Sequence, residues 1–343
     1  MNTIDLRSDT VTHPTPAMRE AMARAEVGDD GYGEDPTVNR LQEMAAALLG
    51  KEAGLYVASG TMSNLVAVMT HCQRGHEVIV GHEAHMVHHE VAAHAGVAGV
   101  QIRTVMNDSR GCLDPADVEA AIRPVRANYP VTGLICLENT QNRCGGGVLT
   151  VQETAAVANV ARRYGIPIHL DGARIFNSAV YLGVKAADLA KDATSATFCL
   201  SKGLSCPVGS VLCGSREFIA RARKNRQMVG GGMRQAGIIA AAGIVALETM
   251  IPRLAEDHAN AGLLARGLAR FPVFDIDPEA VQTNIVRIGI KGMKAEDLVA
   301  KLGAKGVKAG VFEGNKMRFV THYGITAADI EEALGRIGEV AGK

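Results

Sequence analysis

Tryptophan is absent from this chain of 343 residues, and seven Phe and six Tyr leave aromatics at only 4%. Few flat side chains remain for bases to stack on, which weighs against a single-stranded nucleic-acid binder. No sign of charge prevails either. Lys plus Arg is 36 and Asp plus Glu is 36, a formal net charge of zero. A nucleic-acid coat or a binder of anionic membranes needs a basic surplus, so neither partner is expected. Long hydrophobic runs are missing too. The longest, AGIIAAAGIVAL at 236–247, falls short of the roughly 20 residues a spanning helix needs and reads as a buried helix. The opening MNTIDLRSDT carries acids early and no apolar core, unlike a secretory signal. The seven Cys, at 72, 112, 136, 144, 199, 206 and 213, are odd in number, scattered, and without a C-x-x-C pair. They read as small thiols of a reducing cytosol, neither a disulfide framework nor a zinc ribbon. Cys144, beside a glycine run, reads as a surface loop thiol, with reactivity as the alternative.

What is present is apolar residues at 47% and 38 glycines. That hydrophobicity excludes disorder, and no triplet period suggests collagen. At about 150 residues per domain the length suggests two domains. Short apolar runs at 55–58, 77–80, 100–105, 133–137, 166–170, 196–200 and 208–213 lack polar alternation, as strands covered on both faces should. Helix-period stretches lie between them, for example 62–72, 114–122 and 151–164. Thr150 followed by Glu153 forms a capping-box pattern before the last of these. The alternation predicts an α/β domain with a mainly parallel seven-stranded sheet, and ligands then lie beyond the strands' carboxyl ends. After about residue 248 the pattern becomes helix (253–270), strand (284–290), helix (294–303), strands (307–312 and 317–321) and helix (326–341). The expected division is therefore 1–248, an N-terminal segment with a large ligand-binding domain, and 249–343, a smaller α+β domain.

Three strand ends carry chemistry. Ser59-Gly60-Thr61 opens a helix, where free N–H groups suit an anion such as phosphate; an ordinary N-cap turn is the alternative. Asp171, in IHLDGAR, ends an apolar strand with Arg174 three residues on; a structural ion pair is the alternative. Lys202, in FCLSKG, ends another buried strand. A desolvated Lys has a lowered pKa and forms Schiff bases, whereas a structural one snorkels to the surface. Together, 31 residues apart with a helix-capping loop upstream, Asp171 and Lys202 are the parts pyridoxal 5′-phosphate needs. The Lys takes its aldehyde, the Asp keeps a proton on the pyridine nitrogen, and the helix N-terminus takes the phosphate.

IDLRSDTVT (4–12), VGDDGYGEDPTVN (27–39), SGTMSNL (59–65), LENTQN (137–142), HLDGARIFN (169–177), CLSKGLSCPVGS (199–210), VGGGMRQAGIIAAAG (229–243) and RFVTH (318–322) resemble the low-specificity L-threonine aldolases over nearly the whole chain. These are pyridoxal-phosphate enzymes of fold type I. The resemblance implies a cytoplasmic carbon–carbon lyase that cleaves L-threonine, L-allo-threonine and related β-hydroxy-α-amino acids to glycine and an aldehyde. It also implies a homotetramer with sites at a dimer interface. It places Lys202 on the cofactor aldehyde, Asp171 on the ring nitrogen and His85 against the ring. Ser59, Gly60, Thr61 and Arg234 lie near the phosphate, Arg234 from a neighbouring subunit. Ser8, Arg174 and Arg318 hold the substrate carboxylate, and Tyr32 reaches a neighbour's site. His85 acts as base or activates a water. Asn128 stands where relatives often carry a His on the substrate's β-hydroxyl side; an Asn can hydrogen-bond there but is no general base. Gln227 replaces a frequent Lys, and Gly31 a β-branched residue.

Three other readings remain beside this one. Another pyridoxal-phosphate reaction, elimination or transamination, is open to the same scaffold. The run His82, His85, His88, His89 and His94 could serve a metal-dependent hydrolase, although it lacks H-E-x-x-H, and no metal is expected. A non-catalytic cofactor-binding or regulatory protein is the fourth.

Overall fold

The computed structural model describes residues 2–342. The chain begins with β1 (Ile4–Asp5), followed by β2 (Ala53–Val57), β3 (Glu77–Gly81), β4 (Gln101–Val105), β5 (Thr132–Glu138), β6 (Ile168–Asp171), β7 (Ser195–Cys199) and β8 (Ser210–Gly214). β2 to β8 form one sheet in the order β2-β8-β7-β6-β5-β3-β4. Each lies within a few residues of an apolar run identified above. Only β8 runs against its neighbours, pairing antiparallel with β2 and β7; the other pairs are parallel. The apolar runs are continuous because helices cover both faces, as the fully buried Leu55, Ile79, Leu134, Ile135, Leu170 and Phe198 show. The 236–247 run forms the helix Gly237–Thr249, buried through Ala240–Gly243, Ala246 and Leu247. No single helix is long and apolar enough to cross a membrane among the described residues. Thr150 and Glu153 form the expected capping box on Val151–Arg163.

The smaller unit holds β9 (Phe274–Asp275), β10 (Ile285–Ile290), β11 (Val307–Lys308), β12 (Gly310–Phe312) and β13 (Lys316–Val320). Four of these form an antiparallel sheet, β12-β13-β10-β9. Two details differ from expectation. The run 307–312 is not one strand: it splits between β11, which pairs with β1, and β12, which pairs with β13. The N-terminal segment also crosses to the smaller unit. β1 lies parallel to β11, and Ile4 and Leu6 belong to the core built by Leu264, Leu298, Phe319 and Ile337. A strand of two residues has no periodicity to read, and its partner is some 300 residues away.

In the large sheet β2, β3, β5, β6 and β7 run in one direction, so their carboxyl ends share one edge. The loops beyond that edge, together with residues from β1's flank and the β12–β13 hairpin, enclose the candidate site.

Candidate active site

Each strand end contributes a polar group that burial would penalise unless paired. After β2, Ser59 caps the helix Gly60–His71 through its Oγ, which accepts from Met62 N–H at 3.1 Å. The first-turn amides of Gly60 and Thr61 have no intrahelical acceptor. A Cβ on Gly60 would lie 2.9 Å from Cys199 Sγ, so only glycine lets the helix start this close to β7. β6 ends in Asp171, 6% exposed. Its carboxylate accepts from Asn64 Nδ2 at 2.8 Å and from Ala173 N–H at 3.0 Å. Three residues past β7, Lys202 is half-buried in a turn, its carbonyl accepting from Thr12 Oγ1 and from Ser205 N–H. Glu138, the last residue of β5, accepts from the backbone N–H of His85 (2.7 Å) and of Asn142 (2.9 Å). Burial, with the Asp171 charge nearby, raises the Glu138 pKa to about 7.

A cavity of about 390 Å3 opens from these groups; Ser8, His85, Asn142, Arg174, Lys202 and Arg318 line it, and Arg143, Phe312 and Glu313 also contribute to its wall. Arg174 is buried, and its Nε and Nη2 donate to the two oxygens of Asp9 at 2.6 and 2.7 Å. This bidentate pair holds the Asp9 carboxyl well below the usual carboxylate range, against the opposing effect of burial. Asn142 Oδ1 accepts from Nη1 of Arg318 (2.9 Å) and of Arg174 (3.3 Å), which sets the two guanidiniums side by side. Among the described residues Arg318 has no carboxylate partner, and its Nε is a buried donor without an acceptor. Burial and the Arg174 charge lower its pKa to about 10. An under-compensated buried cation facing a cavity is a seat for an anion.

His85 Nδ1 lies 2.8 Å from Glu90 Oε1. Burial alone would lower its pKa, but the Glu90 hydrogen bond and the charges of Asp171, Glu90 and Glu138 raise it above the ordinary value. Ligand atoms of His85, Glu90 and Asp171 lie within 4.8 Å of one another. The other histidines of the run do not join this trio: His88 Nε2 faces the His82 carbonyl at 2.9 Å, and His89 tilts against the His85 ring at 5.2 Å.

The structure thus brings Ser8, Gly60, His85, Asp171, Arg174, Lys202 and Arg318 to one edge, with Ser59 and Thr61 flanking Gly60. Three expected residues lie elsewhere in the single chain. Tyr32 is 80% exposed. The Arg234 side chain is 69% exposed and pairs with Asp29 at 3.3 Å. Asn128 sits on an exposed loop before the first residue of β5. A parallel strand of seven residues separates that loop from Glu138, so Asn128 is at the opposite edge of its own subunit's sheet. Arg174 also differs from expectation, because Asp9 already occupies its fork and leaves Nη1 toward the cavity. Cys144 is half-buried rather than on the surface, and burial raises its thiol to about 11. Asp9, Asn64, Glu90, Glu138 and Asn142 were not singled out from the sequence. The strings SDT, SNL and LENTQN marked the neighbourhoods of four of them, and the histidine run at 82–89 that of Glu90.

The donor set fits pyridoxal 5′-phosphate. It offers free amides and a hydroxyl for a phosphate, a carboxylate for a protonated ring nitrogen, an amine for the aldehyde and an imidazole for a ring face. The fold is that of the pyridoxal-phosphate-dependent enzymes of fold type I. Solved structures with this fold include a threonine aldolase from Leishmania major (TM-score 0.84, 19% identity, covering 98% of this chain and 99% of that one). A serine palmitoyltransferase from Sphingomonas wittichii also shares it (TM-score 0.79, 16% identity, 99% and 88%). Residues 5–291 match the beta-eliminating lyase family. The chain is 45% identical over 340 residues to low-specificity L-threonine aldolase 1 of Arabidopsis thaliana (97% of this chain, 95% of the relative). It is 42% identical over 331 residues to the low specificity L-threonine aldolase of Escherichia coli K12 (96% of each). The chain belongs to the beta-eliminating lyase family and, within it, groups with the low-specificity L-threonine aldolases.

Proposed function

We propose that this chain is a lyase that cleaves L-threonine, L-allo-threonine and related β-hydroxy-α-amino acids to glycine and an aldehyde. The cofactor is pyridoxal 5′-phosphate. The carrying observation is a cavity with an under-compensated guanidinium, Arg318, at one end, and Lys202 and the His85 imidazole on its inner wall. When bound, the cofactor supplies the electron sink for the pair released as the Cα–Cβ bond breaks.

The chain's own residues do the rest. Lys202 would hold the cofactor by its aldehyde. Asp171, held by Asn64 and Ala173, would accept from a protonated ring nitrogen and hold that proton in place. Gly60 and Thr61 N–H groups, with the Thr61 hydroxyl, face the phosphate. Arg318, with Ser8 and Nη1 of Arg174, whose one contact is a long hydrogen bond to Asn142 Oδ1, would bind the substrate carboxylate. Fixing the carboxylate would restrict rotation about the bonds to Cα and so help to select the bond that breaks. His85 Nε2 takes the proton of the β-hydroxyl, directly or through one water, since Nδ1 is committed to Glu90.

The test is aldehyde release from L-threonine, L-allo-threonine and phenylserine side by side, without added metal. Acetaldehyde and glycine from the first two are expected; 2-oxobutyrate and ammonia would show β-elimination instead and overturn the reading. Gly60→Val is expected to weaken cofactor retention about tenfold, because overpacking against Cys199 costs roughly 1–3 kcal/mol. Equilibrium dialysis against free pyridoxal phosphate reads that change.

The same proposal places four identical subunits around shared sites in the cytoplasm. Tyr32 and Arg234, which the resemblance assigns to a neighbour's site, support the assembly in being exposed in one chain. Seven free thiols, most of them buried, support a reducing compartment.

A further inference from the structure

Glu90 faces no reacting group in the mechanism above, yet its carboxyl is 3% exposed in the interior. A buried carboxylate is costly unless its lone pairs are filled. Glu90 Oε1 faces two groups, each at 2.8 Å: Asn64 Nδ2 and His85 Nδ1. The Asn64 amide is oriented by its other end, since Asn64 Oδ1 lies 3.1 Å from His169 Nε2. Beyond it, His169 Nδ1 lies 2.9 Å from Ser195 Oγ, which lies 2.8 Å from His71 Nε2.

One assignment of protons satisfies the whole row. His71 Nε2–H donates to Ser195 Oγ, whose hydroxyl donates to His169 Nδ1. His169 Nε2–H donates to Asn64 Oδ1. The two hydrogens on Asn64 Nδ2 then point one to Glu90 Oε1 and one to Asp171 Oδ2, at 2.8 Å each. Burial lowers the pKa of His71 to about 3 and of His169 to about 4, so both rings are neutral at neutral pH and each carries a single N–H, as this assignment requires. An oxygen already receiving an amide hydrogen completes its bonding by accepting from Nδ1–H of His85.

The chain makes this placement at a local conformational cost. The two residues after Glu90, Val91 and Ala92, have φ of 53° and 52°. A left-handed β-branched residue is an outlier, and Val91 is 97% exposed, so no packing of its own repays the strain. The turn instead directs Glu90 inward.

We propose that Glu90 is the positioning residue of His85, fixing the proton on Nδ1 so that Nε2 presents its lone pair to the substrate, and that Asn64 ties this pair to Asp171. The proposal rests on the reading of His85 given above. Other charged groups also face His85: Glu138 from β5, Asp171 from β6, Arg174 and Lys202 from the following loops, His89 from its own segment, and Arg143 and Arg318 across the cavity. Replacing Glu90 by Gln changes one charge among these and keeps an oxygen in the same place.

The experiment uses the holoenzyme with labelled histidine. The imidazole of His85 is assigned by its loss in His85→Asn, and its titration is followed by NMR in wild type and Glu90→Gln. The pH dependence of kcat/KM is measured in parallel. Removing the carboxylate leaves burial to dominate, so the imidazole is expected to titrate at lower pH in the variant. The acid limb of the profile moves the same way, by about one unit. The maximal kcat falls roughly 10- to 100-fold, as for lost partners of metal-bound histidines, while KM stays within about twofold. If Glu90→Gln does not fold, Glu90→Ala replaces it with the same expectations. An imidazole titration unchanged in a folded, cofactor-loaded variant overturns the proposal. So does a shifted profile without a shifted imidazole. A shifted imidazole with an unmoved profile supports the pairing and instead overturns the reading of His85 as base.

Discussion

Lys202→Ala protein is expected to be colourless, to lose the yellow absorption of the lysine-bound cofactor, and to release no measurable aldehyde from L-threonine. A fall of roughly a thousandfold or more is the scale on which losing the central group of a catalytic constellation acts. Visible spectroscopy after gel filtration in excess cofactor reads the first effect, and a coupled aldehyde assay reads the second. The expectation follows from place as much as from residue type. Lys202 stands three residues past the carboxyl end of β7, on the edge that also carries Asp171 and the free N–H groups of Gly60 and Thr61. A variant that stays yellow and active would remove the cofactor reading altogether.

The second large effect concerns Asp9, which touches no expected ligand. Asp9→Ala leaves Arg174 buried without its bidentate partner, and removing one member of a buried pair costs about 3–5 kcal/mol. Urea unfolding reads that loss directly. Because the Asp9 carboxyl is held below its ordinary range, its contribution is fully present above about pH 4 and is lost as pH falls toward the depressed folded-state value. Wild-type stability is therefore expected to fall with acid below about pH 4, and Asp9→Asn, which has no charge there, to lack that portion. Catalysis is expected to suffer too, since a released Arg174 crowds Asn142 and Arg318 and raises KM for threonine. An Asp9→Ala protein as stable as wild type would show that the buried pair contributes nothing net.

The parts of this fold that the sequence makes legible are those whose physics is local. Continuous runs of Val, Ile, Leu and Cys marked β2 to β8 because strands covered on both faces have no polar side to alternate. Thr150 and Glu153 announced a helix start because the capping box is closed within four residues. Lys202 and Asp171 stood out because a charged residue at the end of an apolar strand costs free energy wherever the strand is placed. Ser59-Gly60-Thr61 stood out because a helix start leaves its first amides unpaired.

Tertiary structure decided whatever depends on pairing across the chain. Arg174 and Asp9 are 165 residues apart, and Asn64 and Asp171 are 107 apart; no spacing rule joins them. β1 has two residues, too few for a pattern, and only its partner β11 makes it a strand. The split of 307–312 between β11 and β12 has the same cause. Residue type alone made Arg174 and Arg318 equivalent carboxylate binders, while burial and Asp9 make one a braced support and leave the other under-compensated. By itself the sequence determined which side chains carry charge to strand ends and which runs must be buried. Which of those charges meet a partner, and which is left facing a cavity, was settled only when the chain closed, because pairing in a low-dielectric interior depends on distance in space.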